Sequence, residues 1–361
     1  MGPLPAIVRW LLVGLGLGPL AVFALRRILF TLSLLRPQPP LPPADAARCP
    51  TVLILVPIRN EPQSIAGLCA ALDALDYPRP QWQVALIDDG PTDDLRQHAA
   101  IEAAVAIRPG WQALHLPASV GKAQALNHGL AHVPFGEIVF IFDVDSRPQP
   151  DCLRWAVRAF ADARVAAVSG RLVAANALAG PAAYYTAVES LVHQLVTLRG
   201  KDVLRLGPPL LGSNNGYRRA ALAQVGGFRP GAFLEDSDLT LALLRAGYTT
   251  RFVPQAVASH RVPATLRGYI HQHIRWGRGF NDVARDHLPG LLTGPRLSWP
   301  LRLELALFAV GYLDRLALLW AIALALLGVE PVVLWIGIGI SLTLPLVQII
   351  AALAFDRAAA G

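Results

Sequence analysis

Three long apolar runs, at residues 6–25, 303–327 and 332–355, constrain this chain more than any other feature. A helix rising about 1.5 Å per residue needs roughly 20 apolar residues to cross a hydrocarbon core about 30 Å thick, and each run is long enough. Only Gly328-Val329-Glu330-Pro331 separates the last two, so a tight helical hairpin is expected there. Between the first run and the hairpin the composition is that of an ordinary soluble domain, with room for one large core or two small ones.

Charge around the runs gives an orientation. A cleaved signal peptide carries its positive charge ahead of the apolar stretch. Here only Arg9 lies early, whereas Arg26, Arg27, Arg36 and Arg48 follow. The positive-inside rule therefore puts the N-terminus outside and residues 26–302 in the cytosol. Arg296 and Arg302 before the hairpin, and Arg357 after it, agree and return Gly361 to the cytosol. The expected localisation is a bacterial-type plasma membrane with residues 26–302 on its cytosolic side. The net charge of +7 gathers beside the runs and over residues 262–302 rather than in a stripe. That distribution suits lipid headgroups or diphosphate and not nucleic acid. Cys49, Cys69 and Cys152 are odd in number and lack metal-type spacing, as reduced, core-filling thiols do.

After the first run, Pro37, Pro39, Pro40, Pro42 and Pro43 make residues 37–50 a stiff, extended spacer. Continuous apolar runs at 51–57, 81–88 and 137–143 then alternate with helical patterns at 65–75, 95–107 and 123–131. Such alternation predicts a parallel sheet covered on both faces, with ligands beyond the carboxyl ends of its strands. Pro57, Asp88 and Asp143 all fall at that edge. Further on, the pattern predicts helices at 152–161, 182–198 and 239–246, the last stopped by Gly247, and a strand at 165–174. Residues 212–217 read as a polar loop or strand and 225–228 as a turn. Residues 265–283 mix Arg, His, Trp, Tyr and Phe at helical spacing, as in an interfacial helix whose His271 and His273 face headgroups or solvent.

Four clusters carry chemistry: Asp88-Asp89-Gly90, Asp143-Val144-Asp145, Glu235-Asp236 and Gln272-His273-Ile274-Arg275-Trp276. The first also suits an ordinary turn, and the third a helix N-terminus. Asp143 and Asp145 alternate along an extended segment, so both carboxylates face one side. Carboxylate pairs of this kind, together with diphosphate oxygens, suit hard cations such as Mg²⁺ or Mn²⁺. Arg275 offers a phosphate fork and Trp276 an indole face, although both also suit an interfacial helix. Asp314-Arg315, inside the first hairpin run, implies a buried pair, a substrate path or a crossing shorter than it looks.

With these residues together, the chain resembles the membrane-bound family 2 glycosyltransferases, which have a GT-A fold and include cellulose, chitin and hyaluronan synthases and bacterial glycolipid transferases. The resemblance spans residues 52–279 and rests on the four clusters, Val56-Pro57-Ile58-Arg59-Asn60-Glu61, Gly121-Lys122-Ala123-Gln124-Ala125-Leu126-Asn127, Gly226-Gly227-Phe228 and Leu234-Glu235-Asp236-Ser237-Asp238-Leu239. It implies a Rossmann-like α/β domain with a mostly parallel sheet plus transmembrane helices. It further implies donor binding by Pro57, Glu61, Asp88, Asp89, Lys122, Asp143, Gln272, Arg275 and Trp276, metal binding by Asp143 and Asp145, and a catalytic pair in which Asp236 is the general base beside Glu235. Leu234 stands where the family often has Thr.

The expected division is 1–36 first helix, 37–50 linker, 51–262 catalytic domain, 263–302 interfacial segment and 303–361 hairpin. The expected activity is inverting, metal-dependent transfer from a UDP-linked donor to a lipid, carotenoid or polyprenyl acceptor. A processive polysaccharide synthase, with a growing glycan as acceptor, is the alternative, for which three spans are few unless copies assemble. A nucleotidyltransferase, or an idle nucleotide-binding partner, has little use for Glu235-Asp236.

Overall fold

The computed structural model describes residues 5–43, 49–90, 95–293 and 297–360. Arg48, Arg296 and Gly361, which bear on the orientation argument, lie outside them. Helix α1 covers Ala6–Leu32. The α/β layer then runs β1 (Val52–Ile58), α2 (Pro62–Asp73), β2 (Trp82–Asp88), α3 (Leu95–Ala106), β3 (Trp111–His115), α4 (Lys122–His132), β4 (Ile138–Ile141), β5 (Arg147–Pro148), α5 (Cys152–Arg158) and β6 (Val165–Ala174). Next come α6 (Pro181–Val192), α7 (Arg199–Val203), β7 (Asn215–Arg218), α8 (Arg219–Val225), α9 (Glu235–Arg245), β8 (Thr249–His260) and α10 (Leu266–Thr293). The chain closes with α11 (Trp299–Ala309), α12 (Leu313–Leu326) and α13 (Pro331–Ala360).

One sheet organises the core, in the order β3-β2-β1-β4-β7-β6-β8-β5. Strands β3, β2, β1 and β4 are mutually parallel, and β7 runs antiparallel between β4 and β6. The apolar sequence of β1 follows from this placement: Val52, Ile54, Val56 and Ile58 enter the core beneath α2 and α5, while Leu53 and Leu55 pack with α4 and α8 on the other face. Burial on both sides leaves no position for a polar residue. Beyond β4 the sheet becomes mixed: β6 pairs parallel with β8, and β5 pairs antiparallel with β8. Cys69 and Cys152 are buried and Cys49 is half-buried, all as free thiols.

Several elements depart from the expectation. The run at 137–143 stops being a strand at Ile141, so Asp143 and Asp145 sit on the segment beyond its end. The helix expected at 182–198 widens to π-helix over His193–Leu198. Strand β8 is hidden in the sequence by Pro254, which cannot donate to a ladder. The sheet accommodates it through a shift in register: Gly170 pairs with Val253 but Arg171 pairs with Val257. A side chain on Gly170 would strike the Ala256 carbonyl and the Asn214 amide, so glycine is required at this crossing. The proline-rich linker is docked rather than free: Gln38 donates to Asp202 at 3.0 Å, and Arg251 and Arg158 donate to the Pro39 and Pro42 carbonyls.

The helices α1 and α13 are long and apolar enough to cross a membrane. The expected single helix at 303–327 is instead two, α11 and α12, bent by 65° where Val310-Gly311-Tyr312 interrupts the helix. Asp314 turns inward there and takes Arg27 at 3.1 Å. Gly16 lets α1 approach α12 closely, since a Cβ there would lie 3.2 Å from the Trp320 ring.

Helix α1 meets the α/β layer through ions. Glu304 accepts from Arg26 Nε and Nη2 at 2.8 and 2.7 Å and pairs with Lys201 at 2.9 Å. Lys201 and Glu304 are almost fully buried. Removing one member of such a group leaves charge uncompensated in a dry environment. Glu304→Gln is therefore expected to cost on the order of 3 kcal/mol, read as a lower Tm in detergent. An unchanged Tm would show that the triad does not hold the layers together.

Candidate active site

The parallel strands deliver Pro57, Asp88 and, just past β4, Asp143 to one edge. Asp88 ends β2 and Asp89 follows it, and the two neighbouring acids take different partners. Asp89 turns into the protein, where its carboxylate accepts from the amides of Val120 (2.6 Å) and Gly121 (3.0 Å). It thus holds the loop leading into α4. Asp88 faces the edge: Oδ1 accepts from Gln97 at 2.6 Å, and Oδ2 lies 3.2 Å from His115 Nδ1.

Gln97 was not found by sequence reasoning. Buried on α3, its amide oxygen accepts from the Glu61 backbone at 3.1 Å while its NH₂ donates to Asp88, so one side chain ties the β1 and β2 loops. No sequence signal marks it, because glutamine on a helix with this composition reads as surface. Glu61 belongs to the same edge, its carboxyl raised from the usual range by burial and by the like charges of Asp145 and Asp143.

The donor set at Asp143 and Asp145 consists of hard oxygens. Asp143 Oδ1 takes Lys122 Nζ at 2.8 Å and its amide donates to Ser213 Oγ at 2.9 Å, while Asp145 Oδ2 accepts from the Arg261 amide at 3.0 Å. Both retain oxygens, and the crowding of negative charge that raises Glu61 is what a divalent cation relieves. These residues fit Mg²⁺ or Mn²⁺. A second grouping, Asp88 with His98 and His115, brings its ligand atoms within 4.8 Å of one another. Its imidazoles suit softer ions such as Zn²⁺.

Lys122, at the start of α4, joins the two halves of the site. Its Nζ contacts Asp143 at 2.8 Å, the Gly212 carbonyl at 2.8 Å and Glu235 at 3.1 Å. Burial works against its charge, but Asp143, Glu235 and Asp236 outweigh burial and hold the ammonium protonated well above its usual range. Asp236, in the first turn of α9, is pushed up to about 7 by burial and then by Glu235, with Lys122 and the Ser237 amide opposing. Gly212 has φ of +73°, and a Cβ there would lie 3.2 Å from Asp236 Oδ2. A glycine is needed for both reasons.

Asp236 and Ser237 open onto a cavity of about 430 Å³ whose other walls include Phe23, Phe30, Phe308 and Tyr312. From α10, Trp276 and His273 line it, whereas Arg275 is exposed and lies apart from this lining. His273 does not face headgroups: it pairs with Glu189 of α6 at 3.3 Å because α10 crosses α6 there. Gln272 keeps a buried side-chain oxygen without a partner.

Residues 138–355 match the family model described as glycosyl transferase family group 2. The chain belongs to this family. Its members alike to it include an N-acetylglucosaminyltransferase of Rhizobium meliloti, 30% identical over 260 residues, covering 67% of this chain and 58% of the relative. A beta-monoglucosyldiacylglycerol synthase of Synechocystis is 29% identical over 279 residues, covering 75% of this chain and 56% of the relative. The family member described here thus spans little more than half the length of these relatives. In fold it is similar to the mannosyltransferase PcManGT of Pyrobaculum calidifontis, solved with GDP-Man and Mn2+, at a TM-score of 0.64 and 23% identity, covering 96% of this chain and 97% of that one. The likeness establishes the GT-A architecture of this family 2 glycosyltransferase chain.

Proposed function

We propose that this chain transfers a sugar from a nucleotide-sugar donor to a membrane-associated acceptor with inversion at the anomeric carbon. The observation that carries the reading is Lys122 Nζ, in contact with Asp143 on the donor edge and with Glu235 beside Asp236. Donor and acceptor carboxylates therefore belong to one ion-paired centre. Asp88, with Pro57 and Glu61, would hold the nucleobase end, where a uracil or guanine edge needs an acceptor. Asp143 and Asp145 would hold Mg²⁺ or Mn²⁺, which supplies Lewis-acid neutralisation of the leaving diphosphate when bound. Asp236 takes the proton from the acceptor oxygen as that oxygen attacks the anomeric carbon from the face opposite the diphosphate. Trp276 and His273 border the space the acceptor enters. The helices α1 and α13 would anchor the catalytic layer to the cytosolic face of the bilayer.

The test is turnover by the purified full chain in vesicles, with Mn²⁺ and a panel of labelled UDP- and GDP-sugars. Release of nucleoside diphosphate with label moving into lipid or glycan is expected, and the product anomer should be opposite to that of the donor. Release of pyrophosphate would instead indicate a nucleotidyltransferase, and absence of turnover across the panel would overturn the reading.

A further inference from the structure

The sheet edge at Asp88 gathers two imidazoles that the proposed reaction does not use. Residues opposite one another on neighbouring strands share a face, and β2 pairs with β3 so that Asp88 stands against His115. Helix α3 packs on both strands and carries His98 and Glu102 one turn apart on one of its sides. Two strands and a helix supply these residues, so no spacing in the sequence marks them. We propose that Asp88, His98 and His115 bind a transition-metal ion of the Zn²⁺ class, and that the bound ion withholds Asp88 from the nucleotide donor. The second half rests on the reading of Asp88 as a nucleobase contact.

Both imidazoles converge on one oxygen. His115 Nδ1 lies 3.2 Å and His98 Nδ1 3.9 Å from Asp88 Oδ2. One ligand atom from each of the three residues lies within 4.8 Å of the others. Ligands about 2.0–2.1 Å from a tetrahedral ion stand roughly 3.3 Å apart, so closing around Zn²⁺ takes side-chain shifts of about 1 Å. The carboxylate is already aimed: Oδ1 accepts from Gln97 at 2.6 Å and from the Gly90 amide at 3.2 Å, which turns Oδ2 toward the imidazoles.

His115 is also held from its far side, where Nε2 lies 2.6 Å from Glu102 Oε1. A neutral imidazole carries a single N–H. With a carboxylate at each nitrogen, one of the two would face a bare lone pair. A metal ion at Nδ1 removes that conflict, because the ring then gives its lone pair to the ion and donates Nε2–H to Glu102. Such a carboxylate–histidine–metal chain fixes the ring and raises its basicity as a ligand. A second proton on His115 would remove the conflict too, but it gives no task to His98, whose ring centroid lies 3.9 Å from that of His115. The ion uses His98 as its third ligand.

Ligand chemistry separates this site from Asp143 and Asp145. Two imidazole nitrogens and one carboxylate favour Zn²⁺ over Mg²⁺ or Mn²⁺, which prefer all-oxygen sets. One edge would then take two kinds of ion with opposite effects, the hard one assisting transfer and the softer one blocking donor entry. His98 is 53% exposed and His115 28%, which leaves the ion a path from solvent and a fourth position for water.

The test uses the full chain in detergent, without a histidine tag, and Zn²⁺ as the probe in excess Mg²⁺. Titration against a chromophoric chelator is expected to show one equivalent of Zn²⁺. His98→Ala and His115→Gln should each hold it roughly tenfold or more weakly, with unchanged melting profiles. In turnover assays Zn²⁺ should raise the KM for donor and leave kcat unchanged. His98→Ala should escape this inhibition while matching wild-type turnover without zinc. Equal Zn²⁺ affinity in wild type and both variants would overturn the site. Inhibition that persists in His98→Ala, or that excess Mn²⁺ relieves, would put the blocking ion at Asp143 and Asp145 and overturn the block at Asp88. Should no donor be turned over, the transferase reading falls and the block with it, whereas the zinc titration alone decides the site.

Discussion

Asp236→Asn is expected to lower kcat by roughly 10²–10⁴-fold, the usual range for loss of a general base, with the KM for donor little changed. The carboxylate lines the cavity beside α1 and α10, the space proposed for the acceptor, and not the strand edge proposed for the donor, so its loss should spare donor affinity. The pH profile provides an independent signature. Glu235 on its own helix, Lys122 from α4 and Tyr217 from β7 face the carboxyl, and burial with Glu235 raises it to about 7. A base must be unprotonated to act, and a raised acid is protonated below its pKa. Thus kcat/KM should fall about tenfold per unit as pH drops below about 7 and level off above it. Glu235→Gln removes the like charge and should move that limb to lower pH. Retention of more than about half the wild-type kcat in the asparagine variant would assign the proton elsewhere, with Glu235 or Asp238 next in line.

The second large effect is expected at the carboxylates proposed to hold the metal. Asp145→Asn is expected to abolish turnover that depends on Mn²⁺ or Mg²⁺, a loss on the order of 10²-fold or more, since charge stabilisation by a bound divalent ion is typically worth several kcal/mol. The fold should survive, because Asp145 accepts one backbone hydrogen bond from Arg261 and the change also relieves repulsion at Glu61. Wild-type activity of the variant in excess chelator, with an unchanged melting profile, would remove Asp145 from the metal site.

The sequence made the β1–β4 half of the fold readable because those strands are buried on both faces, which leaves uninterrupted apolar runs ending in acid. The start of α9 was equally plain, with Glu235, Asp236 and Asp238 in one turn. Strand β8 was not, because Pro254 violates the strand pattern and only the shifted pairing with β6 absorbs it. The bend at Val310–Tyr312 escaped notice for a different reason: an apolar run reports hydropathy and is blind to direction. In the site, Asp88 and Asp89 look alike in sequence, and only the fold gives them different partners. Gln97 had no sequence clue either, since its importance lies wholly in which two loops its amide joins.

Arg26 and Arg27 entered the sequence argument as a compass, the residues that tell a membrane which end of α1 stays in the cytosol. In the folded chain the same two guanidinium groups are masonry, each locked to a carboxylate from a distant helix and each forming part of the wall around Asp236. The proposed orientation in a bilayer and the shape of this cavity would thereby be written in the same two codons. In the proposed topology, a substitution that flipped the first helix would also breach the cavity wall beside Asp236.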